Sequence, residues 1–552
     1  MVTITRNVNL FGDFMPESVK VKKNYIYLIA VIVVIAALGG VLLSQPQQPA
    51  RQEVKAAKFL VGTDAAAFDG PQVKQTEIIN INDGDTFELS ADVVSKEING
   101  RKYVMYGYNG MIPGPTLRLR QGSNIKIVFK NKIDQNTTIH WHGLRHENKN
   151  DGVPGVTQDP VKPGEIYTYD IFVPDEGVYW YHPHIREDAQ QDGGLYGNII
   201  VIPANSDAYS KVNKEEMLVL DDILIDEGKI IQYDPETANH ALMGRFGTVT
   251  LVNGKTDYKL SVNKGDTVRF YITNVANTRP FNLSIQDAKM KLVGSDVSRY
   301  EKEMFVNSVV IAPAERYIIE AMFDNAGVYQ INNINPHFQY TLGTIEVGNE
   351  IAKNDYSADF AGLKENNDVA NDISDFEKYF SKSPDYSLKL TVQMDSMMAG
   401  MPCHRMADGT MMGDCDSAET KEIEWEDDMG FMNANSNSED VKWVIQDSSG
   451  KENMDIPMNA KVGDVIKIRI FNDPKSMHPM QHPIHLHGQR FLVLRSNDIE
   501  NENLVWKDTA LIKNGETIDL LVDVTNLGEW MLHCHIAEHL ESGMMSSFNV
   551  EN

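Results

Sequence analysis

The chain reads as an all-β protein, with three antiparallel β-sandwiches in tandem behind one apolar N-terminal helix. Three observations lead there. A strand pattern with a glycine-led turn and apolar/polar alternation occurs three times. A second glycine-led segment follows each copy. The body shows no long helical period.

The N-terminal element comes first. "YIYLIAVIVVIAALGGVLL", Tyr25 to Leu43, is 19 residues without a charge. As a helix it would run ~28 Å, the thickness of a bilayer core. Lys20, Lys22 and Lys23 precede it. That basic flank places the tail, 1–24, in the cytoplasm and everything after Leu43 outside the cell membrane. A signal peptide has a shorter apolar region, of about 7–15 residues, and no A-x-A site follows this one. The expectation is an uncleaved single-pass anchor over 25–43, with a polar linker over 44–58.

The body carries the repeat. "QGSNIKIVFKN" (Gln121 to Asn131), "KGDTVRFYITN" (Lys264 to Asn274) and "VGDVIKIRIFN" (Val462 to Asn472) predict three half-buried strands. "GVYWYH" from Gly177, "GVYQIN" from Gly327 and "GEWMLH" from Gly528 are the matching second strands. The expected domains are 59–205, 206–350 and 386–552, with a polar interdomain segment over 351–385. A length of 552 residues accommodates them. The formal net charge of −27 argues against a nucleic-acid reader, which needs a basic face.

Histidines fall unevenly on this repeat. Five residues after the second glycine stand His182 and His533 in the outer copies, but Asn332 in the middle one. The outer copies also carry "HWHG" (His140, His142) and "HLHG" (His485, His487), where the middle copy has Pro280 to Ser284. The middle domain therefore keeps the strands and lacks the histidines.

The pairs are His140/His142, His182/His184, His485/His487 and His533/His535. Side chains alternate faces along a strand, so both rings of each pair leave on one side. Eight imidazoles from two facing domains suit a copper cluster, whereas zinc normally takes four ligands. Cys534 lies between His533 and His535 and must point to the opposite face. His482, His539 and Met544 complete a two-His, one-Cys, axial-Met set, the composition of an electron-transfer copper site. Ten of the 15 histidines fall in these positions. His146, His240, His337, His404 and His478 receive no metal role.

These motifs, "HWHG", "HPH", "HPIHLHG" and "HCHIAEHLESGM", resemble the four copper motifs of the multicopper oxidases, the family of laccases and bacterial copper-tolerance oxidases. "NGMIPGPTLRLRQG" (Asn109 to Gly122) resembles that family's first domain. The likeness runs from about Lys58 to Asn552. It implies Greek-key, cupredoxin-like sandwiches and four copper ions. By resemblance, the type 1 copper takes His482, Cys534 and His539 with Met544 axial. The type 2 copper takes His140 and His485, and the type 3 pair takes His142, His182, His184, His487, His533 and His535. The implied reaction is four one-electron oxidations of a donor coupled to reduction of O2 to two waters, with electrons passing from Cys534 to His533 and His535. Asp151, nine residues after His142, stands where the family's bacterial members place a proton-relay acid. Their Glu after the last type 1 histidine is Leu540 here, so Glu541 or Glu538 would have to substitute.

The donor is read from the third domain. "MDSMMAGMPCHRMADGTMMGDC", Met394 to Cys415, begins a methionine-rich insertion over about 394–432, with Met394, Met397, Met398 and Met401 at its start. It resembles the insertion of the bacterial cuprous oxidases. Soft thioethers select Cu(I), and Met480 lies two residues before His482. The same methionines could simply pack as adaptable filler. Cys403 and Cys415 would form a disulfide or bind copper. Three readings follow: a cuprous or other metal-ion oxidase, a laccase-like oxidase of phenols, and a non-enzymatic copper buffer. A buffer has no use for a cysteine wired to a histidine cluster.

Overall fold

The computed structural model describes residues 58–394, 404–405, 411–412 and 421–552. Residues 25–43, Met397, Met398, Met401, Cys403 and Cys415 lie outside the described residues. No described helix is long and apolar enough to cross a membrane.

Strands dominate, arranged as three successive pairs of sheets. The first pair joins a four-stranded sheet, containing Thr86–Ile98, Asn124–Asn131 and Ile166–Phe172, to a five-stranded sheet containing His140–His142, Gly177–His182 and Gly197–Ile202. The second pair has six and five strands between Lys214 and Ile351, and the third has six and five between Tyr386 and Glu551. Apolar side chains fill the space between sheets in three separate cores.

The triplicated segments occupy equivalent places. Asn124–Asn131, Thr267–Asn274 and Val465–Asn472 each run parallel to one neighbour and antiparallel to the other. Each ends on a buried asparagine that ties the following loop across to the second sheet. Asn131 donates to the carbonyls of Gln135 and Val161, Asn274 to those of Arg279 and Ile311, and Asn472 to those of Met480, Ile512 and Lys513. The strands opened by Gly177, Gly327 and Gly528 start at φ of 146°, 148° and 130°, a region that side-chain-bearing residues avoid. That backbone requirement explains the recurring glycine.

The middle copy departs from the expected alternation. Thr267–Asn274 is buried along its whole length, whereas Asn124–Asn131 alternates. Its polar side chains are covered rather than solvated. Arg269 pairs with Glu320 at 2.7 Å and lies under the Tyr209 ring, and the Tyr271 hydroxyl donates to Glu215. The segment between the second and third sheet pairs is also more ordered than its polar composition suggests. It forms the short helices Ser357–Ala361 and Asn367–Ser374, whose Val369 and Ile373 enter an apolar core.

Candidate metal centre

The ligand strands sit side by side in each outer sheet pair. In the first, His140 is registered opposite His182. In the third, His485 is opposite His533 and Ile484 opposite Cys534. The middle copy has the same register with Ser284 opposite Asn332. The pleat sends Trp141 into the core against Tyr169 and Tyr181, so its two flanking histidines face the other way.

The two outer sheet pairs meet at this face. The His142 and His485 rings stack with centroids 3.7 Å apart, and His140 stacks on His487 at 3.9 Å. Ring nitrogens group as His140, His142 and His485, as His142, His182 and His535, and as His184, His487 and His533. Within each group the donor atoms lie within 4.8 Å of one another. All eight predicted rings therefore converge.

Six of the eight rings are oriented by hydrogen bonds from outside, whereas His535 has no hydrogen-bond partner on either nitrogen among the described residues. His140 Nδ1 donates to the Asp151 carbonyl, His182 Nδ1 to the Pro183 carbonyl and His485 Nδ1 to the Asp508 carbonyl. His487 Nδ1 donates to Asp151 Oδ2 at 2.8 Å, and His533 Nδ1 to the carbonyl of Cys534 at 2.8 Å. His142 is reversed, with Nε2 against Asp508 Oδ1 (3.1 Å) and Thr509 Oγ1 (3.0 Å). Neutral imidazole has one donor and one acceptor nitrogen. The inward nitrogens of four of these rings are thus lone pairs: Nε2 of His140, His182 and His485, and Nδ1 of His142. None of these has a hydrogen-bond partner among the described residues. His487 Nε2 and His533 Nε2 face each other at 2.9 Å, acceptor to acceptor. Burial disfavours the charged form of seven of the rings. It drives the His184 pKa down to about 3 and those of His142, His182, His487, His533 and His535 well below the usual value. Buried lone pairs facing one another without a proton between them fit metal ions.

The second group lies behind. Cys534 Sγ is 3.6 Å from His482 Nδ1 and 3.8 Å from His539 Nδ1, and the two nitrogens are 3.4 Å apart. The centre of that triangle is roughly 2 Å from each atom, a metal–imidazole or metal–thiolate bond length. The Ile536 amide donates to Sγ, and burial pushes the thiol pKa up, so the thiolate needs a cation beside it. Met544 is fully buried and its backbone bonds to both Cys534 and His539. Trp443 covers the site. It stacks on His539 at 3.9 Å, meets the His482 ring edge-on at 5.0 Å, and donates Nε1–H to the Ala241 carbonyl of the middle segment.

The remaining predicted residues divide. Asp151 is buried and bridges His140 and His487. Glu541 does not touch a histidine directly. Its Oε1 accepts from the Glu187 amide at 3.2 Å, and Glu187 Oε1 is 3.3 Å from His184 Nδ1. Glu538 turns away, toward Asn277 and Thr278. Met480 is buried in the third core, and Met394 packs at its edge. His404–Arg405 and Met411–Met412 form a two-stranded ladder. Sequence reasoning missed Glu187, Trp443, Asp508, Thr509 and Arg316. "DT" at 508–509 had no local pattern to mark it, and Arg316 lies in the copy without histidines.

Two facing β-sheet pairs that present clustered neutral imidazoles, with a Cys–His₂ group one residue away, define a copper oxidase built on β-sandwiches. Family models described as multicopper oxidase match residues 92–206, 203–352 and 425–552. The chain belongs to the multicopper oxidase family, whose cofactor is copper. It is an oxidoreductase that passes electrons from a donor to O2. It is 26% identical to "Multicopper oxidase mco" of Staphylococcus aureus, over 80% of this chain and 83% of that one. It is 24% identical to "Copper resistance protein A" of Escherichia coli (85% and 93%) and 26% identical to "Laccase-1" of Fomitopsis schrenkii (82% and 84%). Among solved structures it resembles "Multicopper oxidase from Campylobacter jejuni: a metallo-oxidase", with TM-score 0.64, 25% identity and coverage of 90% and 99%.

Proposed function

We propose that the chain is a metal-ion oxidase, most simply a Cu(I) oxidase, holding four coppers. His482, Cys534, His539 and Met544 would hold the type 1 ion. His140 and His485 would hold the type 2 ion, and His142, His182, His184, His487, His533 and His535 the type 3 pair. When bound, these ions accept single electrons and deliver four to O2. The protein supplies the connection: the His533 ring donates to the carbonyl of Cys534, so the two groups are joined by covalent bonds and by a hydrogen bond. It also supplies proton handling, with Asp151 Oδ2 at His487 and Glu541 acting through Glu187.

One observation carries the choice of donor. His482 and His539 are 1% and 0% exposed, against the equally buried Trp443. A planar phenol has no exposed ring nitrogen to dock against, whereas a metal ion could be bound by the methionine-bearing segment, whose Met394, Met429 and Met432 pack against the core that contains Cys534. The tethered residues Met397, Met398 and Met401 would extend that segment. The names of the Escherichia coli and Campylobacter jejuni relatives favour the same donor class. A laccase-like activity on phenols is the second reading, favoured by the likeness to Laccase-1. We further take 59–205, 206–350 and 386–552 as the domains and 25–43 as a membrane anchor holding the body outside the cytoplasm.

O2 uptake with Cu(I), Fe(II) and a phenol as donors tests the proposal. Deleting 394–432 should lower Cu(I) oxidation and spare or raise phenol oxidation. Equal losses on both donors would remove the metal-ion reading.

A further inference from the structure

The middle sheet pair contributes no histidine, yet one of its side chains reaches the cluster. Arg316 begins the strand Arg316–Met322 and is fully buried. Its guanidinium forks onto the Asp508 carboxylate, with Nη1 2.7 Å from Oδ1 and Nη2 on Oδ2. Nε donates to the Val178 carbonyl at 2.8 Å, on the strand that ends in His182, and Nη1 also donates to the Ala314 carbonyl. Asp296 lies 3.4 Å away on the other side.

Asp508 Oδ1 is a shared acceptor. Besides Arg316, it takes the only proton of Thr509 Oγ1 at 2.8 Å and faces His142 Nε2 at 3.1 Å. Thr509 Oγ1 has then spent its proton and can only accept from the rings beside it, His142 Nε2 at 3.0 Å and His485 Nδ1 at 3.2 Å. The guanidinium and the threonine hydroxyl both direct protons at the carboxylate, and neither Asp508 Oδ1 nor Thr509 Oγ1 has one to give to His142. His142 must therefore carry its proton on Nε2 and turn Nδ1 inward, opposite to His140, His182 and His485.

The packing around the fork is independent support. Gly143, the last residue of "HWHG", has φ of +85°. A Cβ there would lie 2.7 Å from Arg316 Nη2 and closer still to Asp508 Oδ2. Gly488, the last residue of "HLHG", meets the Trp530 ring instead. The glycine of the first motif is thus the clearance for an arginine from one domain and an aspartate from another.

We propose that Arg316 is a positioning residue of the histidine cluster: it anchors Asp508 so that His142 presents Nδ1 and His485 presents Nε2 to the metal. This rests on the ligand assignment above. A lysine could hold one oxygen of Asp508, but not both together with the Val178 carbonyl.

The test uses the full copper-loaded chain with Arg316→Gln, Arg316→Lys, Asp508→Asn and the Arg316→Gln/Asp508→Asn pair. The readouts are copper per chain under chelator challenge, the EPR signal of copper not bound to cysteine, and the visible cysteine–copper absorption. Expected for Arg316→Gln is a 10- to 100-fold weaker hold on cluster copper, the usual effect of losing an outer-shell partner. The EPR signal should change, the cysteine–copper absorption should stay, and Arg316→Lys should recover part of the loss. The double variant should be no worse than the weaker single. If Arg316→Gln does not fold, Asp508→Asn decides alone, because it removes the charge and keeps the shape. Unchanged copper retention and EPR in Arg316→Gln, or in Asp508→Asn where that variant decides, with the absorption intact, would overturn the role of Arg316. Absence of the absorption before any substitution would instead overturn the ligand assignment.

Discussion

The indole of Trp443 lies on the imidazole of His539, centroids 3.9 Å apart and planes 27° from parallel. The ring covers the cysteine-bearing site and fastens it to the middle segment through Ala241. Trp443→Leu should cost about 2–4 kcal/mol, since it leaves a cavity and an unpaired carbonyl. Urea titration followed by the cysteine–copper absorption would measure it, and an unshifted midpoint would refute the covering role.

Asn472 and Asn131 make the same kind of staple in different domains. Replacing either by alanine strands buried carbonyls, at about 1–3 kcal/mol each. Only Asn472→Ala should also shift the visible absorption, because its bond to the Met480 carbonyl precedes His482. Equal spectra for the two variants would show that the staple does not tune the site.

Cys534→Ser removes the thiolate and leaves the eight clustered rings in place. The chain should lose its visible absorption and its O2 uptake with every donor, while keeping the cluster copper. Residual turnover with any donor would mean that electrons reach the cluster without the cysteine.

Asp151→Asn keeps an acceptor for His487 Nδ1 and removes the charge. Turnover should fall about 100-fold or more, the scale of a lost proton-transfer group. Anaerobic reduction of the cysteine-bound copper should proceed at the original rate. A parallel slowing of that half-reaction would assign Asp151 to structure instead.

Acid should unfold the copper-free chain selectively. Burial lowers His184 and His482 to about 3, and His146 and His478 to about 4. The unfolded chain takes up protons near pH 6.5 that the folded chain refuses. The stability these groups contribute is complete above that pH and is lost as pH falls toward 3–4. Copper would occupy the lone pairs of His184 and His482 and should shift their share of the loss to lower pH. Melting temperatures of both forms from pH 7 to pH 4 would check the difference, and parallel curves would contradict it.

The strands, their glycine-led starts and the shared face of each histidine pair, with Cys534 opposite, were legible because each is a local consequence of backbone pleat. His140 and His142 must share a face wherever the strand goes, and Cys534 must point away from its neighbours. Even the silent middle copy was readable, since Ser284 and Asn332 keep the register without the rings. What escaped was decided beyond the single strand. Glu187 matters because a short helix brings it to His184, and Asp508 because it lies against a histidine 366 residues earlier.

The sequence by itself determined that paired imidazoles and one thiol would emerge on opposite faces of the same strand, because side chains alternate there with period two. Only the tertiary structure decided which nitrogen each ring turns inward. That choice belongs to the acceptor behind the ring, and for His142 the acceptor is Asp508 and Thr509 of the third sheet pair, held by an arginine of the second.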